Sequence, residues 1–202
     1  MTRGRSTCDT SVVRALAIVC LALSVLLAPA SALAERPDLA HGRGLVWGAS
    51  GAVPILVGDV HYAEPPHAAA SYIAPGGGVD ARLGCEFDGG FRLEIAAGID
   101  GHAVDGQRPL ARYRAGVQAR YTLDVGSDFY PFLAVGAALA LFSRNTALAS
   151  TFDVRGLVGA GWWAASWFAI EVAVAVDVTA PGFAFTDTVA LVTPMIGVDV
   201  AY

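Results

Sequence analysis

The sequence predicts an all-β protein, an eight-stranded antiparallel up-and-down barrel that crosses a membrane. Polar and apolar residues alternate with a period of two in most segments between turns, and such alternation indicates strands because successive side chains point to opposite faces. These segments are roughly 9 to 14 residues long, the length that a tilted strand needs to cross a bilayer. Short and long connections alternate between them, as in a meander of membrane strands.

The first 34 residues have the three parts of a cleaved export signal. An apolar run follows a basic start and ends in a small-residue site, Ala-Leu-Ala, just before Glu35. We therefore predict a signal peptide over 1–34 and a barrel domain over 35–202. An uncleaved membrane anchor is the alternative. The basic residues of the start are Arg3, Arg5 and Arg14.

Composition limits the classes of function. The chain is 55% hydrophobic and only 15% charged, whereas an ordinary soluble domain carries about 25% charged residues. All 13 basic residues are arginines. Without its first 34 residues the chain has a formal charge of −7, which argues against nucleic-acid binding. Of three cysteines only Cys85 remains there, so no disulfide or cysteine metal cluster is expected within this chain.

Segment 110–123 shows the alternation most clearly, with three arginines, a glutamine and a threonine on one face and tyrosine, valine and leucine on the other. Segment 152–163 alternates less regularly. Segments 44–56 and 129–142 are apolar or small throughout, and we predict strands there from their length and their neighbours. The eight predicted strands are 44–56, 79–87, 91–100, 110–123, 129–142, 152–163, 168–178 and 192–202.

The connections divide into two kinds. Short ones are expected at 88–90, 124–128 and 164–167, and longer ones, rich in turn residues, at 57–77, 101–109, 143–151 and 179–189. An even number of strands places both termini on the short-turn side. Three prolines each remove a donor from the ladder and are expected toward strand ends, where the loss is tolerable. They are Pro54, Pro131 and Pro194.

Two other folds use similar patterns. A soluble eight-stranded barrel has its apolar face inside, but here small residues accompany the charges, as a narrow interior requires, and no lysine-rich solvent face exists. A helical membrane protein needs about 20 apolar residues per span. Segment 129–142 is too short for one, and Glu171 and Asp177 interrupt 156–178. The barrel with its apolar face outside explains the alternation best.

On this register the interior receives six arginines and eight carboxylates. An unpaired buried charge costs several kcal/mol, so we expect these groups to pair into a plug that blocks ion flow. The alternative is a wet lumen that solvates the charges and leaves a thin passage. The basic residues are Arg82, Arg92, Arg112, Arg114, Arg120 and Arg155. The acidic residues are Asp80, Glu86, Glu94, Asp100, Asp153, Glu171, Asp177 and Asp199.

Aromatic residues on the opposite face are expected to anchor the strands at the two membrane interfaces. They are Trp47, Phe91, Tyr113, Tyr121, Phe152, Trp162, Phe168 and Tyr202.

No catalytic, metal or cofactor site is predicted. His61 and His67 share a long connection with Asp59 and Glu64, which we interpret as a solvated loop rather than a metal site. The strand serines, Ser50 and Ser143, have no histidine in an obvious partner position. The glycine-rich segment 74–80 lacks a lysine and a following helix, so it indicates a turn and not a phosphate site.

The chain ends in "MIGVDVAY", in which Val198, Val200 and Tyr202 alternate up to a terminal aromatic. Together with the pattern over 42–202, this ending resembles the small eight-stranded outer-membrane barrels of Gram-negative bacteria, the OmpA-like and OmpX-like group. The resemblance implies an outer-membrane location, contact with lipid, and recognition of those three residues by the barrel-assembly machinery. It also implies a barrel without the peptidoglycan-binding domain of larger members.

Two functions are compatible with this resemblance. One is a structural or surface-interaction barrel that presents connections 57–77 and 179–189 outside the cell, to a ligand that the sequence does not identify. The other is a small channel for ions or hydrophobic solutes, similar to OmpW-like barrels.

Overall fold

The structure is a computed structural model of the 202-residue chain. The predicted signal peptide, 1–34, and Tyr202 lie outside the residues that it describes. In the part of the chain that is described, no helix has the length and apolar character to cross a membrane. The described ranges are 44–57, 74–87, 89–103, 109–144, 147–181 and 188–201.

All eight predicted strands are present, the first of them in two parts. Each strand pairs antiparallel with its neighbours in sequence, and the first pairs with the last, so the sheet closes into an eight-stranded barrel and the predicted fold class is confirmed. The segments are β1 (Leu45–Ala52), β2 (Ile55–Val57), β3 (Gly77–Phe87), β4 (Phe91–His102), β5 (Leu110–Thr122), β6 (Phe129–Arg144), β7 (Ala147–Ala165), β8 (Phe168–Thr179) and β9 (Val189–Ala201).

The barrel has two unlike ends. One end holds the connections 88–90 and 123–128, the turn 166–167, the beginning of β1 and the end of β9. We call it the turn end. Gly89 and Gly90 have φ angles of 81° and 78°, which only glycine adopts without strain, so β4 can return directly beside β3. The opposite end, with connections 58–76, 103–109, 145–146 and 180–188, we call the loop end.

The predicted long connection at 143–151 is wrong. β6 continues to Arg144 and β7 begins at Ala147, and these two residues pair. The sequence Ser-Arg-Asn-Thr at 143–146 is typical of a loop, but backbone hydrogen bonds between strands do not depend on these side chains. Ser150 pairs with Leu141 and Thr151 with Ala140, so the strands extend where side-chain composition alone suggested a connection.

The predicted position of Pro194 near a strand end is also wrong, because it lies well inside β9. The amide of Val53 donates to the Pro194 carbonyl at 3.0 Å, but proline has no N–H to return the bond. Pro54 likewise has no N–H, and the ladder is interrupted there. β1 and β2 nevertheless keep one register against β9, because Ala52 pairs with Met195 and Ile55 with Val192.

Side-chain burial is inverted relative to a soluble protein. In β4, Ile95 is 65% exposed on the outer face, whereas Arg92 and Glu94 on the inner face are each 2% exposed. In β3, Val79 and Leu83 are exposed and Asp80 is buried. The exterior is therefore a continuous apolar surface, and the interior holds most of the charge.

Candidate functional site: the barrel interior

The structure places every predicted inward charge on the inner face of the barrel. Most of these side chains are buried, and Arg112 and Asp199 are wholly so. Arg82 and Glu86 keep some access to solvent. Their ion pairs define two clusters. The turn-end cluster contains Arg82, Arg92, Arg120, Glu86, Glu94, Glu171 and Asp199. The loop-end cluster contains Arg112, Arg114, Arg155, Asp80, Asp100, Asp153 and Asp177.

Asp199 is the centre of the turn-end cluster. Its carboxylate accepts hydrogen bonds from Arg92 Nη1 at 2.6 Å and from Arg82 Nε at 3.0 Å. Arg120, on the opposite wall in β5, approaches it to 3.4 Å. Three guanidinium groups from three strands thus share one carboxylate, and the contacts cross the barrel.

Glu171 is a second carboxylate that two of these arginines, Arg82 and Arg120, share. It accepts hydrogen bonds from Arg82 and Arg120, and from the Tyr130 hydroxyl at 2.8 Å. The Arg120 guanidinium also stacks on the Phe132 ring, with its Cζ 3.6 Å from the ring centre, so a cation–π contact covers the face that the carboxylates leave free.

The loop-end cluster contains a closed ring of alternating charges. Arg114 binds both Asp80 and Asp177, the latter at 3.1 Å. Arg155 also binds both: it donates to Asp80 at 3.2 Å and lies 3.1 Å from Asp177 through Nε, as an ion pair without hydrogen-bond alignment. Because β3 and β7 stand on opposite sides of the barrel, this ring spans the lumen.

Arg112 connects the ring to the remaining acids. Its Nε donates to Asp100 at 2.9 Å, and its terminal nitrogens lie 3.4 Å from Asp153 and from Asp177. The Thr179 hydroxyl donates to Asp153 at 2.7 Å. Every carboxylate of the loop-end cluster therefore has a guanidinium partner.

Two glycines make room for these groups. A Cβ at Gly98 would lie 1.9 Å from an oxygen of Asp80, and a Cβ at Gly48 would lie 2.2 Å from an oxygen of Asp199. Neither position tolerates a side chain without displacing an ion pair. The small residues that accompany the charges in the sequence are thus part of the packing of the interior.

Apolar side chains also fill the lumen, and sequence reasoning missed them. A buried apolar cluster lies toward the loop end and includes Phe142 of β6 and Leu191 of β9. A second buried cluster includes Phe132, Leu157 and Met195. The signal was hidden because both faces of 129–142 are apolar, so alternation there does not indicate which residues point inward. The loop-end apolar cluster consists of Leu110, Ala140, Phe142, Val189 and Leu191.

The outer face carries most of the predicted aromatic residues, and Cys85 with them. Val198 and Val200 of the predicted assembly signal lie in β9, and Val200 pairs with Trp47 and Phe168. The exposed aromatic side chains among those predicted are Trp47, Phe91, Tyr113, Tyr121, Phe152 and Trp162.

Within the described ranges, no group of three or more histidine, cysteine or acidic side chains is arranged to hold a metal ion. His61 and His67, the histidines considered for a metal-binding connection, lie outside those ranges.

No protein-family model and no curated protein matches this sequence, but solved structures share its fold. Neisserial surface protein A (NspA) superposes with a TM-score of 0.57 at 14% identity, covering 80% of this chain and 97% of that one. The outer membrane protein OprG from Pseudomonas aeruginosa gives 0.57 at 13% identity, covering 80% and 96%. The chain thus has the fold of the small eight-stranded outer-membrane β-barrels.

Proposed function

We propose that the chain is an integral outer-membrane barrel whose lumen is closed by ion pairs, and that it acts as a structural or surface-interaction protein. The observation that carries this proposal is the ring of Asp80, Arg114, Asp177 and Arg155 across the lumen. The barrel then serves as a rigid support, and its loop-end connections meet the cell's surroundings.

The apolar exterior supports the membrane location. Val135, Leu139 and Ile196 are each more than 60% exposed on the outer face, whereas soluble monomers rarely expose large contiguous apolar patches. Lipid satisfies such a surface, and closure of the sheet through the pairing of β1 with β9 lets the strands satisfy their backbone groups within the barrel. Trp162 and Trp167, both exposed near the turn end, are positioned as interfacial anchors.

The interior supports a closed lumen. An ion that crosses it would have to pass the loop-end apolar cluster and then two layers in which each carboxylate already binds arginine. Separating a buried ion pair leaves uncompensated charge, at a cost of about 3–5 kcal/mol. Continuous ion flow through this path is therefore disfavoured.

Planar-bilayer conductance tests the closed lumen. The protein is purified in detergent from membranes of cells that express the full chain, and a gel mobility shift on boiling shows that it is folded. We expect no discrete openings, while a porin in the same lipid shows that the assay detects a channel. Reproducible openings would contradict the plug and favour the small-channel function.

The two ends of the chain are proposed to direct export and assembly. Cleavage after Ala34 would make Glu35 the first residue of the mature protein, which mass spectrometry of the purified barrel measures directly.

Removal of the terminal aromatic ring, Tyr202→Ala, is expected to reduce the amount of folded protein in the outer membrane, because the assembly machinery is proposed to recognise that ring. Tyr121→Ala, which removes an outward tyrosine elsewhere, is the matched control. Equal yields of the two variants would argue against a terminal signal.

A further inference from the structure

His102 is a buried histidine at the loop end of β4, and the closed-lumen function does not use it. Its side chain is 2% exposed. Nε2 lies 3.0 Å from Oδ1 of Asp100, and Nδ1 lies 3.4 Å from the carbonyl oxygen of Ala74. The ring therefore stands between the lumen wall and the segment that enters β3.

Both atoms that face the ring nitrogens are oxygens that only accept hydrogen bonds. A neutral imidazole has one N–H and can satisfy one of them, whereas the imidazolium has two and satisfies both. The two contacts of His102 can thus be hydrogen bonds at the same time only when the ring carries a proton on each nitrogen.

Charged groups from four strands lie around His102. Asp100, on the same strand, faces the ring, and Arg112 of β5 binds Asp100 from the other side. Behind Arg112 lie Asp153 of β7 and Asp177 of β8. The loop-end cluster has three arginines for four aspartates, so a proton on each nitrogen of His102 would bring its formal charge to zero.

The segment that touches His102 packs closely on it. The Ala74 amide donates to the carbonyl of Ala103 at 3.0 Å, and the Gly76 amide donates to the carbonyl of Pro54 at 2.8 Å. A Cβ at Gly76 would lie 2.9 Å from Nδ1 of His102, so only glycine lets the backbone lie against the ring. Residues 74–76 directly precede β3, so this contact holds the backbone that enters that strand.

We propose that His102 is a proton-dependent latch that holds the segment Ala74–Gly76 against the loop end of the barrel. With the ring charged, Asp100 and the Ala74 carbonyl are joined through it and the latch is closed. When the ring loses one proton, the remaining N–H stays on the carboxylate of Asp100, the stronger acceptor. The contact to the Ala74 carbonyl then loses its donor, and the segment is held only by its backbone hydrogen bonds.

Two NMR measurements on the full-chain protein in detergent test the latch. Amide hydrogen exchange reports the attachment of the segment, and the ring-nitrogen chemical shifts report the protonation state of His102. The His102→Gln variant identifies the His102 signals and removes the charge while keeping a donor for Asp100. Exchange is expressed as a protection factor, which removes the intrinsic effect of pH. The Thr122 amide, bonded to the Gly90 carbonyl at 2.8 Å at the turn end, is the internal control.

As the pH is raised until the ring-nitrogen shifts show that His102 has lost its ring proton, we expect the protection of the Ala74 amide to fall at least about tenfold. The fall should follow the loss of the His102 ring proton, and Thr122 should not change. In His102→Gln, Ala74 protection should be low and independent of pH. Two results would overturn the latch. One is a wild-type protein whose Ala74 protection does not change when His102 loses its proton, and the other is a His102→Gln variant whose Ala74 protection changes with pH as in the wild type. The bilayer experiment tests the closed lumen, and neither of its outcomes decides whether His102 holds the segment Ala74–Gly76.

Discussion

Replacement of Asp199 by asparagine is expected to lower the free energy of unfolding by about 3–5 kcal/mol, the usual cost of removing one partner from a buried ionic group. Asp199 is wholly buried and compensates Arg82, Arg92 and Arg120. Asparagine keeps the shape of the side chain but supplies no charge. Its NH2 group would also face the N–H groups of the arginines, so that two hydrogen-bond donors oppose each other. Denaturant unfolding in detergent, followed by the gel mobility shift, measures the change.

Asp128→Asn is the matched control, because Asp128 is exposed in the 123–128 connection. The structure shows its backbone carbonyl accepting a bond from Trp163, and the substitution leaves that carbonyl in place. Its effect should stay within about 0.5 kcal/mol. If Asp199→Asn also cost less than about 1 kcal/mol, water would be solvating the guanidinium groups, and the wet lumen would replace the plug.

The loop-end cluster is expected to respond in the same way to Arg114→Ala. That change opens the charge ring and leaves Asp80 and Asp177 each with one fewer arginine. The unfolding temperature in detergent should fall. An unchanged unfolding temperature would count against a paired network at this end of the lumen.

A methyl group at Gly98 is expected to destabilise the barrel by about 1–3 kcal/mol, as overpacking of a filled interior does. The added Cβ would lie 1.9 Å from Asp80 Oδ1 and 2.8 Å from Arg114 Nε. These atoms cannot simply swing away, because each is already held in the cross-lumen ring. Equilibrium unfolding of Gly98→Ala in detergent gives the magnitude.

Gly156→Ala is the control for this substitution, since no atom lies within 4 Å of a Cβ built there. Gly156 lies on the outer face of β7, next to an inner-face residue. Alanine there should be neutral, or should stabilise by about 0.4–1 kcal/mol because it lowers the conformational entropy of the unfolded chain. Equal losses at both positions would mean that glycine is required in the strands generally, and not by the ion pairs of the lumen.

The sequence predicted the strands well where one face is charged. In β5, Arg112, Arg114 and Arg120 alternate with apolar residues, and a register slip would carry those charges into the outer face. β6 has no such contrast, so its strand was predicted only from length and neighbours, and its inward Phe142 was missed. Its extension to Arg144 was also missed, since backbone pairing continues through a segment whose side chains resemble a loop.

Partners within the interior were beyond sequence reasoning. Arg92 and Asp199 are 107 positions apart in the chain, and their contact depends on how β1 and β9 close the sheet. Alternation predicts that both side chains point inward but says nothing about their depth along the barrel axis. The division into two charge clusters is therefore a property of the register, and so is the cross-lumen ring.

By itself, the sequence determined the class of protein: an inverted alternation of charge and apolar surface, in segments of bilayer-crossing length, is satisfied by a barrel with lipid outside and charges inside. It determined this because side-chain direction along a strand is local and repeats every two residues. Only the tertiary structure decided which charges meet, that Phe142 and Leu191 join one buried apolar cluster, and that His102 faces the Ala74 carbonyl. These contacts join distant strands, and closure of the barrel sets their stagger.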